Sequence, residues 1–549
     1  MSDRHDVVSA SKWMALGTIF SRVTGFLRLL LLFFVIGKSL NADIFNNANT
    51  IPNALYILVA GGIFNVVLVP QLVRAMKNDA DGGDAYANRV ITLGLLVLAV
   101  ATVVLVVAVP LLLRLFFDGG LFDPGNEQQL QSAQLLMWLC MPQVFFYGAF
   151  VLVGQVLNAR GRFGPMMWAP IVNNVAASAV LVVYAVVFGY SDATDGFTTS
   201  ESLLLGLGST AAIALQMAVL LPYLRKAGFH FRARFDFRGV GLGHTLRLGV
   251  WTLMFILANQ VAFIVVNRLG NGATLDGRAQ GTEAAGSAVY ELGFLVSQVP
   301  HGVITVSLAT AIIPTLSALA AEGRYDRFRL ELGRTLRVVL VIVVPLAVTV
   351  ACLGRQAGTV AGLVGALKGN TELVGHTIQA FGLAMIAFPI HYMMLRGFYA
   401  NENTRTPFFI QVGIAAVNVA TAVALTSMVP PARVAMMLAL SYGIAYVVGS
   451  ILSATLLSRS VGTIFDREML VFAGKLILAA AAAAVVMLGV AAGLDRAGLD
   501  QSQPTGGLLT VLVAGGFGAV VYVGAAMLLG MNQLTYVIRT LVRRRAAPD

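Results

Sequence analysis

Long apolar segments recur along the whole chain, and their length constrains its fold more than any other feature. A helix needs about 20 apolar residues to cross a bilayer, whereas a strand of a membrane barrel needs only roughly 9–11 alternating ones. The predicted spans, with approximate ends, are 13–37, 48–73, 90–116, 132–157, 165–189, 203–224, 245–267, 286–319, 335–353, 374–400, 407–428, 433–457, 469–493 and 506–532. The sequence therefore predicts an all-α polytopic membrane protein of about 14 transmembrane helices, with both termini on one side.

The scarcity of charged residues supports this fold class. Of the 549 residues, 58% are hydrophobic and 11% are charged, whereas soluble domains carry roughly 25% charged residues. Lys12 precedes a long apolar stretch without a small-residue cleavage site, so the N-terminus is predicted to be a first helix and not a cleaved signal. The two cysteines, Cys140 and Cys352, lie in apolar runs, and the six histidines show no ligand spacing. Neither a disulfide nor a metal site is therefore predicted.

Basic residues concentrate in the loops on the N-terminal side of the predicted membrane. They include Arg74, Lys77, Arg89, Arg160, Arg162, Arg225, Lys226, Arg232, Arg234, Arg324, Arg327 and Arg543–Arg545. Loops on the opposite side are sparse in basic residues, and the loop with Asp192, Asp195 and Glu201 has none. This bias predicts that both termini are cytoplasmic. Because the charge is spread over many short loops, a nucleic-acid partner is not expected despite the net charge of +11.

Two pairs of motifs recur at nearly the same offset. Val-Pro-Gln-Leu at 69–72 ends the second predicted helix, and Ile-Pro-Thr-Leu at 313–316 ends the eighth, 244 positions later. The links at 158–165 and 400–407 are 242 positions apart. This recurrence predicts two six-helix lobes in parallel repeat around a central cavity, an arrangement that transporters use for alternating access. The predicted division is an N-lobe at 1–228, a C-lobe at 229–460, and helices 13–14 with a basic tail at 461–549.

Two arginines lie unusually deep in the first predicted helix. Arg22 is ten residues beyond Lys12, roughly 15 Å along the helix axis, and Arg28 lies six residues further. A guanidinium at such depth costs several kcal/mol unless it faces water, a partner or an anionic ligand. Because six residues turn the helix by about 120°, a bend at Gly25 is predicted to aim both arginines into one cavity. We therefore expect them to bind an anionic group.

Other residues within the predicted spans are weaker candidates. Glu291 is the one acid well inside a later helix, where it would be a counter-ion to the arginines, a proton or cation site, or a structural acid. Asn174 belongs to a set of intramembrane amides that commonly join neighbouring helices. Pro52 and Pro300 fall within predicted helices and are expected to kink them.

Several short motifs carry a family resemblance. They are Ser-Arg-Val-Thr-Gly-Phe-Leu-Arg at 21–28, Ala-Asp-Ile-Phe at 42–45, Ile-Pro-Asn at 51–53 and Val-Pro at 69–70. Val-Pro-His-Gly at 299–302 and the link at 158–165 extend the match, which runs over essentially the whole chain. The sequence resembles the MurJ (MviN) family of lipid II flippases.

This resemblance implies the fold of the multidrug/oligosaccharidyl-lipid/polysaccharide exporter superfamily, with two added C-terminal helices that form a groove for a polyprenyl tail. It implies translocation of lipid II, the undecaprenyl-pyrophosphate-linked peptidoglycan precursor, from the inner to the outer leaflet of the bacterial inner membrane. Arg22 and Arg28 match the first-helix arginines of the family, which are expected to engage the pyrophosphate. The candidate substrate-binding residues are Ser21, Arg22, Arg28, Asp43, Tyr56, Asn174 and Glu291.

The chain also departs from the family pattern. Tyr56 and Leu295 stand where many members carry arginine, and Leu29 stands where an acid often follows the second arginine. Asn267 falls at the place of an aspartate that is implicated in sodium binding in some members. The cavity is therefore expected to be less basic than is usual for the family.

Alternative functions remain open at this level. A flippase for another polyprenyl-linked saccharide satisfies the same physical arguments, whereas a drug or cation antiporter would favour acids in place of the arginines. No Walker phosphate-binding loop is present in the sequence, so the chain is predicted to be a transporter without catalytic residues or a cofactor. Membrane potential, an ion gradient or consumption of the product would then drive transport. The expected partners are the lipid-linked precursor and membrane lipids, with proteins of cell-wall synthesis as further candidates.

Overall fold

The structure is a computed structural model that describes residues 2–57, 81, 83–162, 164–190, 192–236, 242–360 and 371–534. Within these residues the secondary structure is helical, with no strand. Twelve helical stretches of the described chain are long and apolar enough to cross a membrane, as judged by length and composition. The predicted fold class, an all-α polytopic membrane protein, is confirmed.

The chain forms two compact units, and the first comprises Met1–Arg278. Its described helices are α1 (Ser2–Ile36), α2 (Leu40–Tyr56), α3 (Asp84–Val107), α4 (Val109–Phe116), α5 (Glu127–Cys140), α6 (Gln143–Ala159), α7 (Gly164–Phe188), α8 (Thr199–Ala218), α9 (Leu220–Lys226) and α10 (Leu242–Gln280). Pro110 in the first turn of α4, and Pro142 between α5 and α6, mark the places where two predicted spans divide into shorter helices.

The second unit comprises Ala279–Asp549. Its described helices are α11 (Ser287–Pro300), α12 (Val306–Ala321), α13 (Tyr325–Val360), α14 (Glu372–Ala380), α15 (Gly382–Ala400), α16 (Arg405–Thr426), α17 (Val434–Val461), α18 (Arg467–Arg496) and α19 (Pro504–Leu528). A π-helical turn, His301–Thr305, joins α11 to α12. The last two helices pack against α13, where the Tyr522 hydroxyl donates to the Val341 carbonyl at 2.7 Å.

The predicted spans follow these helices in order, and twelve membrane-length stretches lie in the described residues against 14 predicted for the whole chain. The first span ends one residue beyond α1, whereas the second, at 48–73, begins in α2 and continues beyond the described residues. The largest difference is at α10, which extends 13 residues past the predicted end at 267. Polar residues in that extension pack inside the first unit, as described below, and hydropathy alone does not reveal such burial.

Helix boundaries recur at a constant offset between the two halves of the sequence. The sixth helix ends at Ala159 and α15 ends at Ala400, 241 positions later. The following helices begin at Gly164 and Arg405, again 241 positions apart, and the first residues of α3 and α13 have the same offset. This recurrence supports the duplication that the motifs predict.

Charged contacts hold one end of the first unit together. The Arg160 guanidinium forms an ion pair with Asp84, donates to the Ala227 carbonyl at 2.9 Å, and lies 5.1 Å from the Phe229 ring centroid. The Arg234 amide donates to Thr92 in the same region. Arg160 is thus a structural residue, although the sequence placed it simply in a basic loop.

The opposite end of the first unit is held by acidic loop residues. The Asp192 carboxylate accepts hydrogen bonds from the Lys38 and Ser39 amides at 2.7 and 2.8 Å. Gly37 has a φ of 86°, and a Cβ at this position would come within 2.3 Å of Asp192, so only glycine suits this close turn. Asp195 forms an ion pair at 3.6 Å with Arg278 near the end of α10.

Candidate functional site

The two predicted arginines lie on one uninterrupted helix in the first unit. Helix α1 continues through Gly25, so six residues place Arg28 roughly 9 Å along the axis from Arg22. Arg22 is exposed and Arg28 is half-buried. The exposed surface of this helix also includes Val23 and Leu27. An arginine is thus accessible on a helix whose exposed neighbours are apolar.

Asn174 of α7 fixes the turn of α1 that carries Arg22. Its Nδ2 donates to the Ser21 carbonyl and to Thr24 Oγ1, both at 3.0 Å. Gly25 allows this approach, since a Cβ there would lie 3.4 Å from the same nitrogen. Ser21 therefore contributes its carbonyl to a helix contact. Thr24, which was not among the candidates, completes the contact.

Two tyrosines belong to the surroundings of Arg28. The Tyr147 hydroxyl on α6 lies within electrostatic range of its guanidinium. The Tyr147 ring stacks on Tyr56 of α2, with a centroid distance of 5.7 Å and an interplanar angle of 27°. Tyr56, which replaces an arginine of the family pattern, is thus one residue removed from Arg28. Sequence reasoning missed Tyr147 because it lies within an aromatic run of an apolar span.

Asp43 belongs to a separate, fully buried polar cluster between α2 and α10. Its carboxylate accepts from Thr274 Oγ1 at 2.8 Å, and its carbonyl accepts from Asn47 at 2.9 Å. The Asn47 amide also donates to Asn271 at 2.8 Å, and Asn271 donates to the Phe116 carbonyl at 3.3 Å. Asp43 has no exposed surface in this conformation. These contacts join the two helices and satisfy the polar residues in the extension of α10.

The remaining candidates lie in the second unit. Glu291 on α11 is half-buried and interacts electrostatically with the neighbouring Tyr290, whose ring packs 5.3 Å from Phe381. Pro300 ends the same helix, and the π-helical turn follows it directly. Prolines and π-turns are both common causes of helix kinks. The predicted pairing of Glu291 with the arginines remains a prediction.

An aromatic contact beside this turn was not predicted. The His301 ring packs between Phe388 and Tyr392, with centroid distances of 4.5 and 4.7 Å. On the other side of the contact, the Arg396 guanidinium lies 4.2 Å from the Tyr392 centroid, a distance typical of a cation–π interaction. The one feature of the sequence that drew attention to this contact was the position of His301 directly after Pro300 in a family motif.

Within the described residues no group of histidine, cysteine or acidic side chains has the arrangement of a metal site. The candidate site in the first unit is instead cationic, with aromatic and amide neighbours. Arginine guanidinium groups suit phosphate oxygens because they can donate two parallel hydrogen bonds.

Comparison with known proteins identifies the family. A family model described as lipid II flippase MurJ matches residues 34–502. The chain belongs to this family. A curated relative from Rhizobium tropici, named a probable lipid II flippase MurJ, is 28% identical over 410 residues, which cover 74% of this chain and 73% of the relative.

Solved structures agree with this membership at the level of fold. A structure of lipid II flippase MurJ in an inward closed conformation has a TM-score of 0.71 at 19% identity, covering 95% of this chain and 99% of that one. An inward-facing multidrug resistance MATE family transporter of the MOP superfamily has a TM-score of 0.57 at 13% identity, covering 81% and 94%. The predicted family is confirmed, and the likeness to the MATE family transporter is one of fold.

Family membership narrows the alternatives that the sequence left open. The match spans most of the helices of both units, and the family is one of transporters. A drug or cation antiporter is therefore disfavoured. The MurJ family match does not assign roles to single residues, so the roles of Arg22, Arg28 and their neighbours rest on the geometry described above.

Proposed function

We propose that this chain translocates lipid II from the inner to the outer leaflet of the bacterial inner membrane by alternating access, with both termini in the cytoplasm. The observation that carries this proposal is the pair of arginines in α1. Arg22 is accessible beside the turn that Asn174 fixes, and Arg28 is half-buried in the electrostatic field of the Tyr147 hydroxyl. Both are suited to the pyrophosphate of a lipid-linked precursor.

Energetics explains why a membrane helix would keep these arginines. An arginine that faced hydrocarbon would cost several kcal/mol, so the accessible face of α1 near Arg22 must be hydrated or occupied by an anion. A pyrophosphate and its sugars face the opposite problem, because burial of charge and unpaired hydroxyls in hydrocarbon is prohibitive. A hydrated cationic path relieves both costs, while the polyprenyl tail stays in apolar surroundings.

The neighbouring side chains fix the helix that presents the two guanidinium groups. Asn174 attaches the turn that carries Arg22 to α7 through two hydrogen bonds, and Tyr56 stacks on Tyr147 in the first unit. Because the helix turn is already ordered, less ordering is needed when the anion arrives, which improves affinity. We propose that this step requires no bound cofactor and that lipid II and membrane lipids are the partners of the chain.

The test is reconstitution of the full chain in vesicles with labelled lipid II and a reagent that reacts only in the outer leaflet. Hydrogen bonds to charged groups contribute roughly 1.5–3 kcal/mol each. Arg22→Ala and Arg28→Ala should therefore slow translocation by at least about tenfold, while Arg22→Lys and Arg28→Lys should recover part of it. Wild-type translocation by both alanine variants would refute the anion-binding role.

The control variant must remove an arginine without disturbing the fold. Arg160→Ala is unsuitable, because it would also break the ion pair with Asp84 and the contact with Phe229. Arg162 is exposed in the same loop, and Arg162→Ala removes the same charge. This control should translocate lipid II at the wild-type rate.

A further inference from the structure

A basic cleft lies in the second unit, at one end of α13, α18 and α19. Its volume is about 340 Å³, within the range typical of small-ligand sites. It is lined by Arg337 of α13, by Arg467 and Lys475 of α18, and by the segment Gly530 to Gln533 after α19. The only acid in its lining is Glu468.

The charges in this cleft do not cancel. Arg337 Nη1 lies 3.0 Å from Glu468 Oε2, so this pair is neutral as a unit. Arg467 and Lys475 form no ion pair with any residue in the part of the chain that the structure describes. The lining therefore carries two uncompensated positive charges, which favour an anionic ligand.

The cleft stands at a boundary between polar and apolar surface. Arg467, Val471 and Lys475 follow one another at intervals of four, which places them along one face of α18. Lys475 is about 12 Å along the axis from Arg467, and a lysine at such depth extends its ammonium group towards the interface. Val471 on this face is 51% exposed, Leu470 and Ile477 elsewhere on α18 are 64% and 67% exposed, and Leu528 of α19 is 91% exposed.

We propose that this cleft binds the headgroup of an anionic phospholipid of the surrounding membrane. The ammonium and guanidinium groups would meet the phosphate, since basic pockets between membrane helices are suited to anionic headgroups. The exposed leucines and isoleucine would meet the acyl chains. A soluble anion would use the charges but would leave this apolar surface uncovered, which is why a lipid suits the cleft better.

The binding site is separate from the arginines of α1 and does not depend on which lipid is translocated. It lies entirely among described residues of the second unit, on helices that follow the duplicated part of the sequence and on α13. A phospholipid bound in the cleft would contact α13, α18 and the end of α19 at the same time. The bound phospholipid is thus expected to stabilise the packing of the two C-terminal helices.

Native mass spectrometry of the purified full-length protein tests this proposal, with phosphatidylglycerol and phosphatidylcholine added in turn. The wild type should retain phosphatidylglycerol in preference to phosphatidylcholine. Each basic residue near a membrane surface contributes to the free energy of binding an anionic lipid. Loss of both should make the double variant R467Q/K475Q bind phosphatidylglycerol about thirtyfold more weakly. The charge-preserving variant R467K/K475R should bind it nearly as the wild type does, which also checks that substitutions here leave the protein folded.

The matched control is R324Q/R327Q, which removes two exposed charges outside the cleft: Arg324, paired with Glu322 just before α13, and Arg327 in the first turn of α13. It should bind phosphatidylglycerol normally. The proposal would be overturned if this control lost phosphatidylglycerol binding to the same extent. It would also be overturned if the wild type bound both lipids equally, or if R467Q/K475Q bound phosphatidylglycerol as the wild type does. Displacement of phosphatidylglycerol by millimolar inorganic phosphate would assign the cleft to a soluble anion, and displacement by equimolar lipid II would assign it to the transported lipid. Either result would also overturn the proposal.

Discussion

Replacement of Asn174 by leucine tests whether the position of α1 controls anion binding. Leucine has a similar volume but removes the Nδ2 donor that reaches the Ser21 carbonyl and Thr24 Oγ1 at 3.0 Å. Hydrogen bonds between membrane helices contribute about 0.6 kcal/mol each on average. Loss of both should therefore lower stability by only about 1 kcal/mol, and the protein should still fold and insert.

The expected functional effect of Asn174→Leu is larger than its effect on stability. The turn that carries Arg22 would lose its attachment to α7, so the substrate would have to fix the position of this turn when it binds. Lipid II affinity, measured by titration of the purified protein, should fall several-fold while the thermal midpoint falls slightly. A merely structural role for Asn174 would lower the midpoint without changing the affinity.

The chain offers a matched control for this variant. Asn418 lies on α16, 244 positions after Asn174, and its Oδ1 accepts from Ser441 Oγ at 3.0 Å. Asn418→Leu should cause a comparable small loss of stability with no loss of lipid II affinity. Wild-type affinity in Asn174→Leu, or the same loss of affinity in both variants, would refute the reasoning.

Three further outcomes are expected. Arg160→Ala should lower the thermal midpoint of the purified protein, because it breaks the Asp84 ion pair and the ring contact with Phe229. Arg162→Ala should leave the midpoint unchanged, and equal midpoints for the two variants would contradict the structural role of Arg160. In single-cysteine labelling of intact cells, an impermeant reagent should modify position 195 and spare position 234, and the reverse pattern would invert the topology. Glu291→Gln should reduce translocation at normal expression if the carboxylate charge matters, and a wild-type rate would leave Glu291 only a packing role.

Much of the fold could be predicted from hydropathy, because the bilayer imposes both a minimum length and an apolar composition on each helix. The exceptions occur where polar residues are buried inside the protein. Helix α10 was expected to end near 267, yet it continues to Gln280 because Asn271 and Thr274 find partners in Phe116 and Asp43. Hydropathy treats these residues as solvent-exposed, since it contains no information about such partners.

The candidate site shows the same limit. Arg22 and Arg28 were identifiable because charge at such depth is costly wherever the helix packs. Two of their neighbours, Tyr147 and Thr24, were not identifiable, since they differ from other residues of apolar spans only by contacts that the tertiary structure creates. Arg396 was missed because it lies near the end of a predicted span, where an arginine ordinarily reaches the interface.

Two asparagines in corresponding helices indicate how a duplicated frame can serve one function in one copy only. Asn174 lies on α7 and Asn418 on α16, within about one turn of equivalent positions, and both are buried in helix contacts. In the second unit the amide oxygen accepts from Ser441 of the next helix, which is an ordinary packing contact. In the first unit the amide nitrogen instead fixes the helix turn that carries Arg22. Because the helix frame is repeated and the arginine-bearing turn is fixed in this way only in the first unit, recognition of the pyrophosphate of the transported lipid is expected to reside there.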